Sequence, residues 1–258
     1  MPSSFPPEIL DLIVDHLHDA PTTLKACCLV AKSWVPRARR SLFAHVEFSS
    51  RRCPIQSWLN VFPDASNSPA HHTRALHLVG RDSIAAAIAG PSTWLHHFCH
   101  VEKLQVANVS IPVSFVQLRG LSPNLRFLHL FYVSAPLSEI FALICSFPLL
   151  EDLWLHLIST WGEADGWEIP STSPRLTGTL YLSDPIRTVT RGLLDLPNGL
   201  HFSKIMVSCL VEDAESVADL VSKCSETLES LVVAYYPQGV YPFVLVIGLH
   251  LNTVYSIY

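Results

Sequence analysis

Glycine is scarce, ten in 258 residues, and no glycine-rich phosphate loop is present. Close backbone approach to a phosphate is therefore not a theme of this chain. No G-x-S-x-G elbow occurs. The seven cysteines form no CxxC pair and no even spacing: Cys27 and Cys28 are adjacent, and Cys53, Cys99, Cys145, Cys209 and Cys224 are scattered. That usage points to buried free thiols in a reducing compartment. Charge is sparse at 15%, against 49% hydrophobic residues, which excludes a disordered chain and leaves ample material for a core. With a net charge of -5 there is no general pull toward nucleic acid or anionic lipid. The N-terminus lacks a basic stretch followed by an apolar run, so it does not read as a secretory signal. The expectation is a protein of the cytoplasm or nucleus with no cofactor.

Few residues invite a chemical reading. His96-His97-Phe98-Cys99-His100 has metal-ligand residue types, but adjacent ligands rarely reach one ion and no second half-site is visible. His71-His72 reads the same way. Lys32, Arg37, Arg39 and Arg40 make a basic stretch too small for nucleic acid. Asp11 and Asp15 lie one helical turn apart, but no nucleophile accompanies them. Catalytic residues and a metal site are expected to be lacking.

The chain divides by charge and by period. Residues 1–55 carry a net +2 and the remainder -7, which places a boundary near residue 50. Before it, Ile9, Leu10, Ile13, Val14 and Leu17 recur at helical spacing. Pro6 and Pro7 suit the start of that helix and Pro21 closes the connection after it. Thr22 or Thr23 is expected to cap a second helix carrying Leu24, Cys27, Cys28 and Ala31. Ser33 is expected to cap a third, anchored by Trp34, Leu42 and Phe43. Three short helices in so few residues bury too little to be secure alone, so the module is expected to need a partner.

After the boundary, residues 51–258 repeat the pattern apolar-x-x-apolar-x-apolar. Its middle anchors are Leu76, Leu104, Leu128, Leu153, Leu180, Ile205 and Leu231, at intervals of 28, 24, 25, 27, 25 and 26 residues. A near-constant step in this range is the signature of leucine-rich repeats. Helix-like stretches lie between, at Ser114 to Leu121, Leu137 to Phe147 and Glu212 to Cys224. The predicted class is α/β: a three-helix module, then an irregular leucine-rich-repeat-like solenoid with a parallel sheet. The polar ladder position after each strand is irregular; Asn108 comes closest and falls one residue early.

The run Phe5-Pro6-Pro7-Glu8-Ile9-Leu10, then Ile13 and Leu17, then Leu24, Cys28, Leu29, Val30, Lys32, Ser33 and Trp34, resembles an F-box over residues 4–46. Phe5 replaces the usual leucine, and Ala31 stands where cysteine is common. The F-box family often joins this module to leucine-rich repeats, loose ones in fungal members. The resemblance implies docking on the Skp-type linker subunit of a cullin–RING (SCF-type) ubiquitin ligase through Pro7, Ile9, Leu10, Ile13, Leu17, Leu24, Cys28, Leu29 and Trp34. It also implies that the repeats capture a protein substrate. The competing reading is a repeat-type interaction scaffold with no ligase role.

Strand alternation supplies the candidate substrate face. If Leu128 and Leu130 point to the core, His129 points out, and His77, Gln105, Trp154, Tyr181 and Met206 join it on one exposed face. The stretch Ser159 to Ser173, with Trp161, Glu163, Asp165, Trp167 and Glu168, is a further candidate. Val240 to Tyr258 is almost wholly apolar and approaches the length of a membrane span. Pro242, Gly248, His250 and Asn252 interrupt it, so a final strand near residue 256, in a repeat expected to be incomplete, is expected over a membrane anchor.

Overall fold

The computed structural model describes residues 6–50, 54–80, 84, 86, 88, 93–109, 115–161, 172–183, 186–235, 245–250 and 253–256. Three short helices open the chain: α1 Pro7–His16, α2 Pro21–Val30 and α3 Val35–Leu42. Proline sits in the first turn of each, where the missing N–H costs nothing. The capping expectations are corrected here. Pro21 opens α2 instead of closing the connection, so Thr22 and Thr23 lie inside the helix. Ser33 lies in a short 3-10 turn, Lys32–Trp34, and α3 starts from Trp34. The pre-set φ of proline does the work assigned to the hydroxyls.

These helices enclose a small core of Val14, Leu24, Cys27 and Ala38, with Leu17, Cys28, Trp34 and Leu42 packed against it. Arg37 of α3 ties back to α1: its Nε donates to Asp15 Oδ1 at 2.7 Å and its Nη2 to Oδ2. The Arg37 guanidinium holds the Asp15 carboxyl below its ordinary pKa. Of the pair Asp11 and Asp15, the second is thus a structural tie between helices.

The remainder is built on a sheet. Its strands are β1 His45–Ser49, β2 Ala75–Val79, β3 Lys103–Val109, β4 Phe127–Pro136, β5 Asp152–His156, β6 Ser159–Trp161, β7 Thr179–Ser183, β8 Lys204–Cys209, β9 Ser230–Tyr235, β10 Leu245–His250 and β11 Thr253–Ser256. Nine strands run parallel: β1 to β5 and β7 to β9 in sequence order, with β6 on the end of β4. The repeat anchors are register partners across the whole row: Leu76, Leu104, Leu128, Leu153, Leu180, Ile205 and Leu231. From Leu76 to Ile205 each anchor is fully buried, which contributes about 1.5–3 kcal/mol per side chain relative to exposure. Between strands lie α4 Ile55–Val61, α5 Leu137–Cys145, α6 Ile186–Leu194 and α7 Ala214–Lys223, plus 3-10 turns. The stretch expected to be helical near 114–121 holds only the turn Leu118–Gly120 among described residues.

Hydrogen bonds repeat with the strands. The carbonyls of Ala44, Arg74, Glu102, Arg126 and Ser203 each accept two successive N–H groups from the start of the next strand. Four successive units also place a positive-φ residue four positions past the anchor: Gly80, Asn108, Tyr132 and Leu157. Asn108 therefore takes a left-handed kink within β3, a conformation asparagine tolerates, while Tyr132 within β4 and Leu157 after β5 adopt it at a cost of about 1–2 kcal/mol each. Leu157 N–H bonds to the Ser183 carbonyl at 3.2 Å, and Gly80 N–H to the Ala107 carbonyl at 3.0 Å, so the turn is held by the neighbouring strand.

Strand β1 pairs with β2, so the sheet begins before residue 50, and the two buried clusters divide between Leu42 and Val46. One expectation is corrected. The sheet as a whole is not a solenoid, because β10 and β11 run antiparallel to their neighbours. Only residues 236–244 join β9 to β10, and 251–252 join β10 to β11. A parallel crossover needs a dozen or more residues, so these links impose reversal. The strand expected near residue 256 is β11, and no helix among the described residues is long and apolar enough to cross a membrane.

At Gly192 two units approach each other closely. A Cβ there would collide with the Phe141 ring of α5, which is fully buried. Gly192→Ala is expected to destabilise the chain by about 1–3 kcal/mol, read as a lower denaturant midpoint.

Candidate functional site

The helical module leaves apolar side chains uncovered. On α1, Ile9, Leu12 and Ile13 share one stripe at i, i+3, i+4 and are 42%, 55% and 45% exposed. Val14 and Leu17 pack against the module's core. Leu29 and Val30 end α2 at 88% and 68% exposure. Of the residues expected to dock, Leu24 is buried, Leu17, Cys28 and Trp34 pack half-buried on the core, and Ile9, Ile13 and Leu29 face out. The side chains of Pro7 and Leu10 lie outside the described residues. Leu12 and Val30 were not among the expected residues; the i, i+3 relation of Leu12 to Ile9 was the available signal.

The sheet brings the second set together. His77, Gln105, His129, Trp154, Tyr181 and Met206 are register partners on successive strands, all on one face. The His129 ring stacks on Trp154 at 4.5 Å and 17°, and Trp154 meets Tyr181 at 5.4 Å. One expectation is corrected: His129 is not exposed but 7% exposed, because its neighbours on the row cover it. Burial, with the nearby Lys103 and His77 charges, lowers its pKa to about 4, so it is neutral at physiological pH. Burial pushes His77 down as well, with Lys103 as the largest added charge.

A second row lies two residues further along each strand, on the same face. Phe131, His156, Ser183, Ser208 and Ala234 are its register partners. Phe131 meets His156 at 5.3 Å, and Tyr132 meets it edge-on at 5.5 Å. The positive φ of Tyr132 breaks strand alternation and brings its ring to that histidine. His156 contacts Tyr181, whose hydroxyl is 3.4 Å from Nδ1, and burial lowers its pKa. Period-two reading from the first row could have found Phe131 and His156. Tyr132 was hidden, because nothing in the sequence marks a left-handed tyrosine.

Other candidates take ordinary places. His71 and His72 have ring centroids 3.9 Å apart, and no group of three metal-ligating side chains occurs among the described residues. The Cys145 and Cys209 thiols are pushed up to about 11 by burial, which suits packing and not nucleophilic attack. Residues 162–171, with Glu163, Asp165, Trp167 and Glu168, lie outside the described residues, as does the Trp161 side chain.

No protein-family model matches the chain, and no match is found among the curated proteins.

Proposed function

We propose that this chain is a substrate-recruiting adaptor of a cullin–RING ubiquitin ligase of the cytoplasm or nucleus. In this reading residues 4–46 act as an F-box on a Skp-type linker subunit. The sheet, leucine-rich-repeat-like in its anchor spacing, holds a protein substrate on its aromatic rows. No catalytic role, cofactor, nucleic acid or membrane partner is proposed.

The observation that carries the reading is the uncovered apolar stripe of α1 and the end of α2, on a module whose core holds four buried residues among those described. A marginal core with outward apolar residues is the physical signature of an element completed by a partner. The test is to mix the purified chain with a purified Skp-type linker subunit and follow complex formation by gel filtration and calorimetry. A 1:1 complex supports the adaptor. No complex leaves the interaction scaffold, which rests on the aromatic rows alone.

Those rows carry their own expectation. Trp154 and Tyr181 are half-buried and offer large, rigid contact area. Trp154→Ala and Tyr181→Ala are expected to weaken a captured partner by about 2 kcal/mol each, roughly thirtyfold. Thermal melting of the free chain checks that neither variant unfolds it. Unchanged capture by both would place the substrate elsewhere.

A further inference from the structure

Where the bulky row of Trp154, Tyr181 and Met206 gives way to Ser183 and Ser208 on the same face, side-chain volume is missing. Past the strand ends the chain rises again, with Leu157 after β5, Ile186 at the start of α6, and Leu210 and Asp213 after β8. Between them lies a cavity of about 320 Å3, with His156 and Leu157 on one side and Leu210 and Asp213 on the other. It sits at the carboxyl ends of three parallel strands, β5, β7 and β8.

The chemistry of the lining sets what can enter. Asp213 is the one acidic group in it, and both its oxygens are engaged: Oδ1 accepts from Arg187 Nε at 3.1 Å and Oδ2 from the Leu210 N–H at 3.2 Å. His156 is neutral at physiological pH, and the Cys209 thiol stays protonated. A charged occupant would lose hydration and find no free counter-charge. A neutral one finds apolar walls and two serine hydroxyls able to donate or accept. The volume is at the small end of the ligand-pocket range and suits one ring.

Position selects the source of that ring. His156 belongs to both places: it lines the cavity, and its ring lies 5.8 Å from Tyr181. Ser183 follows Tyr181 by two residues, about 7 Å along a strand, which is also the distance between same-side side chains of an extended peptide. We propose that this cavity receives a neutral aromatic side chain, such as tyrosine or phenylalanine, from an extended partner segment lying along the strands over Trp154 and Tyr181. The inference rests on the sheet face being the partner surface and is independent of docking on a ligase.

The test uses the full 15N-labelled chain, titrated with N-acetyl-tyrosine amide and p-cresol, and with butylammonium and butyrate as charged controls. Both aromatic probes are expected to shift the amide signals of Ser183, Ser208 and Leu210, with Kd on the order of 1 mM. Ser208→Leu fills the space and weakens both by at least about tenfold; Ser183→Leu serves if circular dichroism shows the first variant unfolded. Shifts confined to Trp154 and Tyr181, or no shifts at all, overturn the cavity. Binding of p-cresol without the tyrosine amide overturns the peptide occupant, and equal binding of butylammonium or butyrate overturns the neutral requirement. The partner-surface reading fails separately, when Trp154→Ala and Tyr181→Ala leave partner capture unchanged.

Discussion

Leu29→Asp is expected to leave the chain folded and to abolish its binding to a Skp-type linker subunit. Leu29 is 88% exposed, so the substitution removes almost no packing and costs the free chain within about 0.5 kcal/mol. In the complex the same position would place a carboxylate against apolar partner surface. A hot-spot loss of about 2–4 kcal/mol, or thirty- to a thousandfold, follows. Ile13→Asp tests the α1 stripe in the same way; its half-buried position makes it costlier for folding, by about 1 kcal/mol. Leu24→Asp is the contrasting control: Leu24 is 1% exposed, and a carboxylate there dismantles the module itself. Calorimetry against the linker, with thermal melts of the free variants, separates the two effects. A folded Ile13→Asp, Leu29→Asp double variant that binds as the parent does would end the adaptor reading.

Acidification from pH 7 to 5 is expected to destabilise the parent more than His129→Phe. In the folded chain His129 titrates near 4, whereas an unfolded histidine titrates near 6.5. Between these values the unfolded chain takes up a proton that the folded chain refuses. The stability tied to the neutral ring is therefore complete above about 6.5 and is lost as pH falls toward 4. For His129 alone the loss is about 2 kcal/mol at pH 5 and about 3 kcal/mol below the folded value. Phenylalanine keeps a ring against Trp154 and cannot titrate. Denaturant melts at both pH values should show the stability difference shifting by about 2 kcal/mol in favour of the variant. Asp15, with its carboxyl lowered by Arg37, acts only at more acidic pH, as pH falls through its depressed value. Parallel pH curves for parent and variant would show that His129 is not held neutral.

The anchors were legible because strand alternation and a near-constant step are properties of sequence alone. Seven positions from Leu76 to Leu231 fall in one continuous register. Strand direction was not legible, since an alternating stretch reads the same either way; only the link lengths distinguish β10 and β11 from another parallel repeat. Strand β1 escaped because Val46 stands 30 residues before Leu76, outside the step of the others. The candidate face was legible as a row, but not the burial of His129, which depends on how closely Trp154 stacks on it. The cavity was beyond reach for a related reason. It arises where two serines meet turns from three different units, a relation that no single stretch of sequence contains.

Every strand from β2 to β9 on the main path is hydrogen-bonded to the one before it. Assembly can therefore follow synthesis. At translation speeds of about 5–20 residues per second, a unit of some 25 residues leaves the ribosome every one to five seconds. By then the strand it pairs with has already been made, so no strand waits on a distant stretch still inside the exit tunnel. The unpaired edge at any moment is the newest strand, and it advances until β10 and β11 turn back on it. A nascent chain halted after any of these strands carries a shorter sheet of the same kind.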